Sequence, residues 1–178
     1  MSRWQDAVLE FWFGLAPERW WRTDPALDHA IRKRFLPLWR AQRENVPEHF
    51  LASPEDALAA AILFDQFPRN MFRGQADAYS TDPLARAVAR GAVDRGFDRD
   101  LAPDRRPFLY MPFQHSEDLE DQKRSLLLFT ALGDDYNLGY ARKHHDVVAR
   151  FGRFPHRNQV LGRQPRAEEQ AAGDVVPW

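Results

Sequence analysis

The chain contains no cysteine, which excludes disulfides, thiolate zinc sites and cysteine nucleophiles. It has no run of about 18 apolar residues of the kind that spans a membrane. Met1-Ser2-Arg3-Trp4 leads straight into an amphipathic pattern, without the apolar stretch of an export signal. A cytoplasmic location with no membrane partner is therefore expected. Charge of one sign is missing as well: 25 basic residues face 26 acidic ones, so no overall field draws nucleic acid or an anionic bilayer. Lysine is scarce, at three against 22 arginines, a bias read as genome composition. Strand signals are thin, because Pro107 and Pro112 bracket the one apolar run, Phe108-Leu109-Tyr110-Met111. That run reads as a buried loop.

Helix signals fill the rest. At 178 residues with 23 aromatics, the chain can bury one substantial core, and residues 1–178 are expected to form a single all-α domain. Ser2 would cap a first helix that stops at Gly14. Asp24-Pro25 opens a second, which Pro37 should kink or divide. Ser53-Pro54-Glu55-Asp56 opens a third, ended by Pro68. Thr81-Asp82-Pro83 opens a fourth. Ser116-Glu117-Asp118 opens a fifth, with Leu119, Leu126 and Phe129 on its core face, and a sixth runs from about Tyr136 to Phe151, capped by a left-handed Gly152. Short turns between helices suggest an array of antiparallel helix hairpins bent into one globular domain. From about residue 165 the chain reads as a short helix and a loosely held tail.

Three polar clusters interrupt this plain helical text, and two of them echo each other. Phe67-Pro68-Arg69-Asn70, with Gly74 following, recurs as Phe154-Pro155-His156-Arg157-Asn158, with Gly162 following. The repeat predicts two matching, adjacent loops after helix ends. In the first cluster Asp65 shares the inward face with Ala61 and Ile62, and a buried carboxylate there needs Arg69 or Arg157 as a partner. The second cluster places four acids at positions 117–121, just after His115. This looks like acid–base or metal chemistry, but also like ordinary acids at the positive end of a helix. Gln122, in line with the core face, needs hydrogen-bond partners. In the third cluster His144 points inward and His145 does not. Between Arg150 and Arg166 stand five arginines, His156 and no acid, a local basic segment suited to a carboxylate or phosphate, or to neutralising the acids of the second cluster.

On these residues the chain closely resembles a bacterial family known only as domain of unknown function 924. The resemblance rests on Leu63-Phe64-Asp65-Gln66-Phe67-Pro68-Arg69-Asn70, on Thr81-Asp82-Pro83-Leu84-Ala85, on Tyr110-Met111-Pro112-Phe113 with His115-Ser116-Glu117-Asp118 and Asp121-Gln122, and on His144 with the segment from Arg150 to Arg163. Trp20-Trp21 and Asp28 fit its N-terminal pattern. Gln164-Pro165-Arg166-Ala167 departs from the Thr-Pro-Glu-Glu helix start usual in that family. The resemblance implies an all-helical, tetratricopeptide-like fold and no established activity.

Two functions from different classes fit these residues. One is a binding scaffold whose groove takes a small anion or a peptide, lined by Asp65, Gln66, Arg69, Asn70, His115, Glu117, Gln122, His144, Arg153, His156, Arg157 and Asn158. The other is a hydrolase of a phosphate or carboxylate compound. In that case His115 or His156 is the acid–base, Glu117 or Asp65 orients it, and Arg69 and Arg157 clamp the anion. A metal set drawn from His115, His145-Asp146 and Asp174 is disfavoured by the outward position of His145, so neither a metal nor a cofactor is expected. Nothing in the sequence fixes the oligomeric state.

Overall fold

The computed structural model of the chain describes residues 3–177, and every regular element among them is helical. The helices are α1 (Trp4–Phe13), α2 (Pro25–Gln42), α3 (Pro54–Ala61), α4 (Phe67–Met71), α5 (Asp82–Asp94), α6 (Phe97–Asp100), α7 (Arg106–Gln114), α8 (Leu119–Leu132), α9 (Asp135–Phe151) and α10 (Ala167–Ala172), with short 3₁₀ turns between several of them. By their contacts the residues gather into two compact units, one of residues up to 73 with 77–109, the other of 74–76 with 110 onward.

In the first unit the aromatic content becomes core. Phe67 meets Phe35 at 4.6 Å between ring centroids and Trp12 at 5.8 Å, and Trp12 meets Phe108 at 5.6 Å. All four rings are almost wholly enclosed. Asp24 and Ser53 cap α2 and α3 as their positions suggest, each accepting from a backbone N–H three residues on. Ser2 lies outside the described residues; Asp6 accepts from the N–H of Arg3 at the start of α1. Pro37 does not divide α2, which is one helix of 18 residues. The carbonyl that Pro37 leaves without an N–H belongs to Lys33, at an exposed position where water can serve it.

Pro68 does not end the third helix either. Between α3 and α4 the helix widens into a π segment, Ile62–Gln66, in which the N–H of Phe67 reaches back to the carbonyl of Ile62. The N–H that Pro68 lacks would have served Phe64, four residues earlier. The hydroxyl of Thr81 donates to that carbonyl instead, at 2.8 Å, and in turn accepts from the indole N–H of Trp39 at 3.2 Å. Thr81 therefore completes the interrupted helix rather than capping α5, for which it makes no side-chain bond.

Two further expectations fail, the first because burial outweighs local propensity. Residues 108–111 are helical, within α7, rather than a loop. Pro107 sits in the first turn, where an N–H has no helical partner, and Phe108, Leu109, Tyr110, Met111 and Phe113 are all buried. Leu119, placed on the core face by periodicity, is 38 % exposed at the first position of α8.

The second unit is organised by the α8–α9 hairpin. Gly133, at φ 73°, takes the left-handed conformation that ends α8, and Asp134 accepts from the N–H of Asn137 to start α9. Gly152 ends α9 in the same way at φ 67°. The chain beyond residue 165 carries α10, whose Glu169 is only 3 % exposed.

Candidate functional site

The first cluster lies wholly in the first unit. Asp65 occupies the π segment and is fully buried, with the amide of Gln66 donating to it at 2.5 Å. Arg69 supplies the counter-charge. One of its nitrogens stands 3.2 Å from a carboxylate oxygen of Asp65 and donates to the Asp65 carbonyl at 2.6 Å, while both terminal nitrogens grip Asp82 at 2.8 and 3.0 Å. Burial works against charge on Arg69, but Asp65 and Asp82 outweigh it and raise its pKa, so the guanidinium stays charged. The sequence offered Arg69 or Arg157 as the partner of Asp65, and the pairing is with Arg69. It missed Asp82, whose Thr-Asp-Pro setting reads as a simple helix start.

In the second unit the acidic cluster resolves into separate duties. Asp118 caps α8, accepting from the N–H groups of Glu120 and Asp121. Asp121 accepts from the hydroxyl of Ser116, and exposed Glu120 pairs with Lys123. Gln122 is fully buried and donates through its amide nitrogen to the carbonyls of Gln114 and Ser116, at 2.6 and 2.7 Å. It clamps the α7–α8 turn.

Glu117 is the acid that reaches the basic segment. Its two oxygens accept from the N–H of Phe154 at 2.7 Å and from both terminal nitrogens of Arg163 at 2.7 and 3.0 Å. Burial pushes its carboxyl up, but the bonds from Arg163 and Phe154 and the charges of Arg163 and Arg157 outweigh this and hold it below its ordinary value. Arg153 makes a bidentate pair with Glu169 at 2.6 and 2.7 Å, and Asn158 and the N–H of Arg166 also donate to Glu169. The Arg153 guanidinium above all, with the Arg166 N–H and Asn158, holds that carboxyl at about 2. Arg166 itself donates to the Phe151 carbonyl.

The echo between the two segments now has a physical content, although their backbones differ. The first copy is helical, continuing the π segment, and the second is a 3₁₀ turn after α9, so they are not matching loops. What they share is an asparagine that donates to a carboxylate already forked by an arginine: Asn70 and Arg73 on Asp28, Asn158 and Arg153 on Glu169. In both cases the asparagine of the Arg-Asn pattern marks a structural anchor, and the forking arginine lies outside the pattern. The acid on the far side, Asp28 or Glu169, carries no local signal of that role.

The histidines are arranged differently. The ring of Phe154 lies 5.6 Å from His144, 5.6 Å from His156 and 4.5 Å from the guanidinium carbon of Arg157. His115 stands 5.9 Å from His144, and its carbonyl accepts from Arg157 at 3.0 Å. His144, His156 and Arg157 surround one phenylalanine, and His115 stands against His144. His144, 6 % exposed, bonds through Nδ1 to the carbonyl of Tyr140 at 2.8 Å. A carbonyl only accepts, so Nδ1 carries the hydrogen and the neutral ring keeps a bare lone pair on Nε2. Among the described residues Nε2 meets no hydrogen-bond partner. Burial first, then His115, Arg157 and His156, push the pKa of His144 down to about 3.

Among the described residues no group of three or more His, Cys, Asp or Glu side chains could hold a metal ion. A cleft of about 470 Å³ in the first unit, lined by Pro47, Glu48, Leu51, Pro83 and the Arg86–Arg90 face of α5, contains none of the residues proposed from the sequence as catalytic or ligand-binding.

The family described as a bacterial protein of unknown function, DUF924, matches residues 8–172. A solved structure, that of the protein of unknown function ATU0120 from Agrobacterium tumefaciens, is similar to this chain at 42% identity with a TM-score of 0.87, over 95% of this chain and 96% of that one. No curated protein matches.

Proposed function

We propose that this chain, which belongs to the bacterial family of unknown function DUF924, is a helical binding scaffold that holds a small anion beside His144 in its second unit. The observation that carries this reading is the state of His144. Its open Nε2 can accept a hydrogen bond from a ligand, but with a pKa of about 3 it is too weak a base to take a proton in a reaction near neutral pH. The carboxylates that a hydrolase would use are committed: Glu117 to Arg163 and Phe154, and Asp65 to Gln66 and Arg69. The open Nε2 of His144 is an acceptor near the Arg157 guanidinium, which is itself bonded to the His115 carbonyl, an arrangement for holding rather than converting. A small anion suits it better than a peptide, because a side chain only 6 % exposed is too recessed for an extended chain to lie across.

The reading takes the helix hairpins as a tetratricopeptide-like array, by analogy of fold, working in the cytoplasm. The near balance of charge argues against nucleic acid and membranes as partners. Its test is thermal. Phosphate is expected to raise the melting temperature beyond sodium chloride at matched ionic strength, and Arg157→Lys to weaken that rise, since a point charge does not replace the fork. Equal stabilisation by sodium chloride would remove the binding site. Release of p-nitrophenol from p-nitrophenyl phosphate above the buffer rate, lost in His115→Phe or His156→Phe, would favour the hydrolase.

A further inference from the structure

His144 is a buried acceptor with Arg157 and two further histidines placed around it or its Phe154 neighbour, and this combination is selective. Its Nδ1 hydrogen is fixed on the Tyr140 carbonyl, so the ring cannot change tautomer to offer a donor from Nε2 without losing that bond. The charged group acting on it is Arg157, joined by His115 and His156 whenever they are protonated, and these three residues lie around the same Phe154 ring or against His144 itself. A fully deprotonated oxyanion satisfies the field but turns an oxygen lone pair toward the lone pair of Nε2. A neutral alcohol satisfies Nε2 but not the field. An oxyanion that carries its own proton satisfies both.

Resting on the reading of this cluster as a binding site, we propose that His144 selects a protonated oxyanion, with hydrogen phosphate as the simplest case, against sulfate and other anions that have no hydrogen to donate. The P–OH group of the ligand donates to Nε2, and the unprotonated oxygens face the Arg157 side. Discrimination of this kind is large when a buried polar group is left facing a like one, because neither can turn to water.

The experiment is a calorimetric titration of the whole chain at pH 8 with inorganic phosphate, sulfate and methyl phosphate. At that pH hydrogen phosphate keeps one O–H, whereas a phosphate monoester, with its second pKa near 6, has lost it. Phosphate is expected to bind at least about tenfold more tightly than sulfate or methyl phosphate, the effect of one satisfied hydrogen bond against a repelled one. His144→Phe, which keeps a ring against Phe154 and removes the acceptor, is expected to bring phosphate down to the sulfate level. If the variant does not fold, the ratio in the parent protein decides by itself. Equal affinity for phosphate and sulfate overturns the selection by His144 and leaves the binding reading standing. Binding of neither anion overturns both. Tighter binding of methyl phosphate than of phosphate would also overturn it, pointing to an ester ligand recognised without a proton.

Discussion

Arg69→Ala is expected to lower stability by about 3 kcal/mol in urea melts, toward the lower end for an uncompensated buried charge because a fifth of the Arg69 side chain meets solvent. The change strips its counter-charge from Asp65, which is fully buried, and from Asp82, which is 15 % exposed on its side chain. It also removes the donor to the Asp65 carbonyl in the π segment. Asp65→Ala is expected to cost less, roughly 2 kcal/mol, because Arg69 keeps both bonds to Asp82. Arg69→Lys should recover only part of the loss, since an ammonium cannot serve the Asp65 carbonyl and both oxygens of Asp82 together. Glu120→Ala is the control: the residue is 79 % exposed on its side chain and paired only with Lys123, so a change within about 0.5 kcal/mol is expected. An Arg69→Ala loss no larger than the control would mean that the ion-pair group does not hold the first unit together.

Gln122→Glu is expected to cost about 3 to 5 kcal/mol at neutral pH, the range for a charge left unpaired in the interior. The shape is kept but the donor is lost, and a carboxylate would face the carbonyls of Gln114 and Ser116 from a fully buried position. Below the pKa of the introduced acid its protonated form regains one donor, so the loss should shrink on acidification. Gln122→Met, which leaves the two carbonyls without that donor but adds no charge, should cost roughly 2 kcal/mol. Its penalty is moderated because the Gln122 Oε1 it removes is itself buried without a partner. If the Glu variant melts with the parent at neutral pH, the amide is not the clamp of the α7–α8 turn.

The sequence was most informative where a side chain answers to its own helix. Asp65 facing inward with an arginine as its partner follows from spacing, as does the inward position of His144 above Ala141 and Val148, and these last three residues are all buried. It was least informative where the partner comes from a distant segment. Nothing near Glu169 predicts that Arg153, Asn158 and Arg166 converge on it, and nothing near Asp28 announces Asn70 and Arg73. The prolines misled for a related reason. Pro68 breaks a helix only if its missing N–H goes unreplaced, and the replacement, the Thr81 hydroxyl, lies 17 residues beyond the carbonyl it serves. The basic segment from Arg150 to Arg166 suited an anion clamp and the neutralisation of the second cluster's acids alike, because its counter-charges, Glu117 and Glu169, stand outside it; the Arg163–Glu117 pair is of the second kind. What distinguishes the candidate site is not charge density but an imidazole acceptor without a donor, set near a guanidinium. That property depends on a backbone carbonyl, Tyr140, fixing a tautomer, and no residue pattern encodes it.

The central claim is that His144 is a neutral imidazole with its hydrogen on Nδ1 and an open Nε2. Long-range ¹H–¹⁵N correlation spectra of the imidazole rings, assigned with His144→Phe and followed from pH 8 to pH 5, test it directly. The account predicts one ring that keeps a protonated Nδ1 and an unprotonated Nε2 throughout this range, consistent with a pKa of about 3, and whose Nε2 resonance alone shifts strongly when phosphate is added. A His144 ring that titrates near the ordinary value of 6.5, or one that carries its hydrogen on Nε2, would contradict the account.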